Sequence, residues 1–418
     1  MADFSALDRY VIVSADGHAG AQLYEYRDYL PSKWHEEFDA WAASYVDPWA
    51  SIDPGINGTK FGAASGTYEG NWDHDLRQKQ VEGDGIVGEV LFPNTVPPFM
   101  SELLGGINPQ SREEYERLVA GTRAHNRWLV DFCSRLPGRR AGIAQVLFYD
   151  VDDALAEIRW AKEAGLTGGV LLPAVPPNSG VPELSSPEND PIWALCEDLG
   201  MVLNHHQGTG APNLGNAQGA ACINMFEAKW FAARTMTHLI LGGVFHRHPG
   251  LKYVITEAGT GWVPAQLAQM DYRYHRMTTP GTPESMFAKN PSLSMTPLEY
   301  FANNCYIGAS FITRAEVQVR HDIGIDRIMW GLDYPHSDGT YPYTREGLRY
   351  TMAGVPTEEI RMMLGETAAD LYGFDTKALI KAAETVGPTV AEIAEPIHEL
   401  PTSTVSLAFD PVDISRPW

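Results

Sequence analysis

The chain has 418 residues, of which 44% are hydrophobic and 20% charged. That is enough apolar material for a large buried core, and the composition is not that of a disordered chain. Its 53 acidic residues outweigh 31 basic ones, giving a formal net charge of -22. This balance argues against nucleic acid or an anionic membrane surface as the main partner, though a few local Arg or Lys residues can still pair with an anionic small molecule.

Short β-branched runs recur along the chain, each followed by a helical pattern. The N-terminal stretch has no basic start followed by an apolar run, so no signal peptide is expected. Tyr10–Ala15 is the first expected strand, Ile86–Phe92 the second and Gly142–Phe148 the third. Asp150–Ala164 reads as a helix with an acidic first turn. Gly169–Leu172 is the fourth strand, Pro191–Leu199 the next helix and Met201–His205 the fifth strand. Tyr253–Thr256, Cys305–Ala309 and Arg327–Gly331 complete a set of eight. Eight strands alternating with helices predict an α/β fold, a single (β/α)8 TIM barrel. A doubly wound open sheet is the rival, but no Gly-rich phosphate fingerprint opens the first helix.

Two long stretches, about 45–75 and 271–299, are expected as insertions covering the C-terminal face, where barrel active sites lie. Trp49, Phe61, Tyr68, Trp72, Tyr272 and Tyr274 within them suggest the walls of an apolar pocket. Pro97, Pro98 and Phe99 could line its mouth. Residues 1–375 would form the barrel, and 376–418, with several Pro and little period, a tail that wraps it or a neighbouring subunit. Cys133, Cys196, Cys222 and Cys305 form no CxxC pair and read as buried free thiols in a reducing compartment. No stretch is apolar for the ~18 residues a membrane span needs. The expectation is a soluble, cytoplasmic homo-oligomer.

The residues able to do chemistry fall at strand ends. Asp16 and His18 stand as D-G-H, and residues i and i+2 of an extended chain share a face. A carboxylate and an imidazole converging on one point suit Zn, Fe or Mn. His205 and His206 end the fifth strand; neighbours face opposite ways, so one should point inward. His206, last before the loop, has the more typical position, and both stay open. Glu257 ends the sixth strand, where an unpaired carboxylate is costly unless it meets a cation. Asp333 ends the eighth in GLDYPHSDG, as a ligand or a base, and His336 can fold back over it. Glu89 is a weaker candidate, with packing against an Arg at least as plausible. Asp333, Glu257 and His336 are the catalytic candidates; all seven residues other than Glu89 are metal-ligand candidates.

The D-x-H motif, the fifth-strand His before a Gly turn and G-x-D-Y-P after the eighth strand resemble the amidohydrolase-related superfamily. More narrowly they resemble its branch of aminocarboxymuconate-semialdehyde and resorcylate-type decarboxylases, over about Val11 to Asp375. The resemblance implies metal ligation by Asp16, His18, His206 or His205, and Asp333. The chain departs from that pattern at Glu257, where those decarboxylases usually carry His. The phrases SADGHAG, FPNTVPPF, AHNRWLVDFC, NHHQGTG and GLDYPHSDGTYP are similar to a barrel group that includes a nonheme diiron monooxygenase of terpenoid biosynthesis. That second resemblance implies two Fe ions, dioxygen chemistry and a bulky small-molecule substrate, with a coenzyme A arm among the options. The alternative is one Zn or Mn ion in a hydrolase or non-oxidative decarboxylase.

Overall fold

A computed structural model describes residues 2–45, 68–94, 96–100, 108–175, 181–211, 214–215, 218–287 and 293–409. Trp49 and Phe61, with most of the first expected insertion, lie outside them. Among the described residues nine parallel strand segments fill eight positions: β1 (Ile12–Ala19), β2 (Ile86–Pro93), β3 (Arg140–Gly142), β4 (Ala144–Gln145), β5 (Val170–Leu171), β6 (Leu203–His206), β7 (Tyr253–Thr256), β8 (Cys305–Ser310) and β9 (Ile328–Gly331). β1–β3 form one sheet and β4–β9 another, each in sequence order. β3 and β4 are halves of one run broken at Ile143, whose N–H donates to Leu91 O at 3.0 Å. At the other seam Gly17 pairs in parallel with Tyr334, and His18 N–H donates to Tyr334 O at 2.8 Å. Hydrogen bonds thus bridge both seams, and the strands stand in the order of an α/β barrel.

Alternation along the strands separates two cores. Val13, Val90, Ala141, Leu171, Val254 and Met329 cluster with Tyr372, Phe374 and Leu379. Their strand neighbours, among them Ile12, Leu91, Val170, Leu203, Tyr253 and Ile255, join the larger cluster with the helices. The first set fills the barrel and the second faces the helical layer. Tyr372 Oη donates to Asn204 Oδ1 at 2.8 Å, closing the interior below the site.

Several sequence expectations need correction. D-G-H lies inside β1 rather than after it, with Asp16 inside a register shift between Ser14 and Gly17. The stretch 271–299 is not an insertion after a strand. Its first part belongs to the helix Val263–Thr278, and its remainder leads into the helix Pro297–Asn304 before β8. Topology therefore puts it on the approach to a strand's start, not at a strand's C-terminal end. There Tyr272 is exposed, and Tyr274 Oη accepts from Leu293 N–H at 3.0 Å. The tail begins with a regular helix, Thr376–Val386, which Asp375 caps by accepting from two backbone N–H groups. Cys222 is exposed, whereas the other three cysteines are buried. Among the described residues no helix is long and apolar enough to cross a membrane.

Glu89 is held by arginine. Arg77, fully buried, donates to both Glu89 carboxylate oxygens at 2.7–3.1 Å, and its Nη1 donates to His18 O at 2.7 Å. Gly17 makes this possible, since a Cβ there would stand 3.1 Å from Arg77 Nη2. Arg77→Met should destabilise the fold by about 3–5 kcal/mol, because it leaves a carboxylate buried and short of its main partner. Denaturant unfolding checks this; a loss below 1 kcal/mol would show that Arg140, whose Nε lies 3.7 Å from Glu89 Oε2, alone compensates Glu89.

Candidate metal centre

Asp16, His18, His206, Glu257, Asp333 and His336 come together above the barrel interior. Their ligating atoms make two overlapping groups, each with all atoms within 4.8 Å of one another: Asp16, His18, His206 and Glu257, and His18, Glu257, Asp333 and His336. His18 Nε2 stands 3.3 Å from Asp16 Oδ1 and 3.0 Å from Asp333 Oδ1. His206 Nε2 stands 3.6 Å from Asp16 Oδ1 and 3.1 Å from Glu257 Oε2. Yet Asp16 Oδ1, His18 Nε2, His206 Nε2 and Asp333 Oδ2 are buried with no hydrogen-bond partner. Donor atoms that crowd together without bonding one another fit a cation placed among them. The set contains only nitrogen and oxygen, which suits Zn, Mn or Fe.

Local structure explains each placement. Leu203 faces the helices and Asn204 the interior, so His205 faces outward and His206 inward. His205 falls in neither of the two donor groups, and its ring nitrogens are buried. His206 packs edge-on against His18 and Phe92. Gly331 leaves room for Asp16, since a Cβ there would lie 2.6 Å from the Asp16 Cβ. Ser310 Oγ donates to Asp16 Oδ2 and fixes the carboxylate's rotation. Glu257 and Asp333 both adopt left-handed backbone, with φ of 62° and 60°. Side-chain-bearing residues hold that conformation at a cost of about 1–3 kcal/mol, and such strain gathers at functional sites.

The electrostatics are those of a site with surplus negative charge. Burial alone would lower the His18 pKa, but Asp16 and Asp333 outweigh it and hold it at about 9. Burial is likewise outweighed at His206, raised by Glu257 and Asp16. Burial, with Asp16 adding repulsion, lifts Asp333 to about 6 against the pull of His18. Burial, reinforced by the neighbouring His18, depresses His336 to about 3, so its imidazole is neutral. The sequence reading missed Asp338, whose carboxyl burial and the nearby Asp333 lift to about 7. It also missed Asn94, whose Oδ1 lies 2.9 Å from His336 Nε2. Asn94 directly follows β2, so the strand-end rule that picked out Asp333 could have found it. Phe99, expected at a pocket mouth, packs instead among Trp34, Phe38 and Trp41.

An eight-position parallel barrel carrying a His/Asp/Glu cluster at its strand ends defines a class, the metal-dependent α/β-barrel enzymes. The family model described as Amidohydrolase matches residues 98–374, and the chain belongs to that family. It is 27% identical over 283 residues to gamma-resorcylate decarboxylase of Rhodococcus jostii (strain RHA1), covering 64% of this chain and 80% of that protein. Among solved structures, an amidohydrolase from Mycobacterium avium subsp. paratuberculosis K-10 superposes with a TM-score of 0.65 at 20% identity, covering 88% of this chain and 99% of the other. The 5-carboxyvanillate decarboxylase of Novosphingobium aromaticivorans DSM 12444, complexed with manganese and 4-hydroxy-3-methoxy-5-nitrobenzoic acid, gives a TM-score of 0.63 at 18% identity, covering 89% of this chain and 99% of the other. At these identities the solved structures speak for the fold alone.

Proposed function

We propose that the chain is a non-oxidative decarboxylase of a small aromatic acid that uses one divalent ion, Mn or Zn. The observation that carries the reading is the ring of buried, unpartnered donors on Asp16, His18, His206 and Asp333, with Glu257 at its edge. The decarboxylase relative and a manganese-complexed fold neighbour support it. These five residues would hold the ion. Bound there, it would supply positive charge that orients the substrate carboxylate. Asp333 transfers a proton to the ring carbon that bears the carboxylate. The bond to the carboxylate carbon then breaks, its electron pair restores the ring, and CO2 leaves. Solvent returns the proton to Asp333, and His336 Nδ1, 2.8 Å away, holds the protonated carboxyl by accepting from it. The buried walls exclude bulk water from the transfer.

A second reading, two iron ions and dioxygen, is favoured by one feature: the donor atoms form two overlapping groups of four, sharing His18 and Glu257. Metal analysis of the purified protein, with assays of hydroxylated benzoic acids under nitrogen, separates the two. About one Mn or Zn per chain and CO2 release without oxygen carry the first reading. Two irons per chain and turnover that stops under nitrogen sink it.

A further inference from the structure

The groups behind His336 form a chain whose hydrogen-bond direction can be read from one end. Asn71 Nδ2 donates to the backbone carbonyl of Tyr68 at 2.8 Å, and a carbonyl can only accept. The Asn71 amide is therefore fixed, and its Oδ1 faces Asn94 at 2.6 Å. An acceptor there requires Asn94 to present Nδ2, which turns Asn94 Oδ1 toward His336 Nε2 at 2.9 Å. The backbone holds both amides: Asn94 N–H donates to Ala19 O and Gly20 N–H to Asn71 O, each at 3.1 Å. All three side chains are buried.

We infer that Asn94, backed by Asn71, is a positioning residue that puts the His336 hydrogen on Nε2 and presents bare Nδ1 to Asp333, 2.8 Å away. An imidazole needs such an outer partner to fix its tautomer and ring orientation. The inference rests on the metal-centre reading for its catalytic consequence, but not for the tautomer. Either use of the bare nitrogen, ligating a cation or accepting a proton shared with Asp333, requires this polarity. The chain also ties the site to the segment around residues 68–71, far from β9 in sequence.

The test is 15N NMR of histidine-labelled protein with bound metal, the His336 signal being assigned by its loss in His336→Gln. The Nε2–H tautomer is expected. Asn94→Leu should scramble it and lower kcat about 10–100-fold with KM and metal content little changed. Asn94→Asp keeps the acceptor toward Nε2 and should restore the tautomer, at a cost in stability because its second oxygen meets Asn71 Oδ1, which separates positioning from packing. An Nδ1–H tautomer in the wild type overturns the inference, as does an unaltered His336 signal in Asn94→Leu. If the protein proves not to be a decarboxylase, the tautomer readout still stands, so the two failures are distinguishable.

Discussion

Asp333→Asn is expected to lower kcat about 10²–10⁴-fold, the range assigned to a lost proton donor, with metal content nearly unchanged. The amide keeps an oxygen that can face a cation, but it cannot give up a proton to carbon. In the metal-free site burial lifts the Asp333 carboxyl to about 6, although His18 pulls the other way, so the surroundings favour a proton on Asp333. Its position is also tightly set. Its N–H donates to Asp16 O at 2.8 Å, its carbonyl accepts from His336 N–H at 2.9 Å, and its φ of 60° holds it off the strand path. Asp333→Glu should therefore rescue poorly, since the longer side chain moves the carboxyl by more than the site can absorb. Steady-state kinetics with metal analysis of both variants decides the matter. A kcat within a few-fold of wild type for Asp333→Asn would transfer the proton role to Glu257 or Asp338.

Much of this was legible in the sequence, for reasons that can be located. All eight strand positions were visible because buried parallel strands read as short apolar runs between helical periods. The candidate ligands were visible because polar side chains at such ends break the apolar pattern, as Asp16, Glu257 and Asp333 do. The choice between His205 and His206 needed the phase of β6, which the outward Leu203 and inward Asn204 supply only in three dimensions. Asn71 and Ser310 escaped notice because their partners lie elsewhere in the sequence: Ser310 on β8 meets Asp16 on β1, and Asn71 meets Asn94. The tail helix was missed although its signal was present. Asp375 is a capping residue, and Leu379 and Ala383 stand four apart on the buried face, but the prolines further on obscured the pattern. The count and identity of metal ions are set by distances of a few ångströms between residues hundreds of positions apart, and spacing along a chain carries no such information.

Metal binding should displace protons at pH 7, the one on His18 first among them, and its affinity should rise with pH toward 9. In the metal-free site burial opposes charge on both imidazoles, but the surrounding carboxylates prevail. His18 is held at about 9 and His206 well above its ordinary 6.5. His18 is therefore protonated at pH 7, His206 is shifted in the same direction, and both must be neutral to ligate. The same shifts fix the sign for stability. A histidine whose folded-state pKa exceeds its unfolded value stabilises the metal-free fold below about 6.5, and that contribution disappears as pH rises through 9. Asp333, raised toward 6, acts in the same direction by preferring its protonated form. Metal-free protein should thus unfold more easily at pH 9 than at pH 6. Bound ion cancels this loss above about pH 6.5, since each proton it displaces changes the binding free energy by about 1.4 kcal/mol per pH unit. Chelator-treated protein titrated with Mn in buffers of different ionisation enthalpy gives the proton count. Thermal unfolding at pH 6 and pH 9, with and without Mn, gives the stability signs. A Mn-induced rise in Tm that is no larger at pH 9 than at pH 6 would mean that the imidazoles are already neutral in the free site, and that the three carboxylates alone draw the ion in.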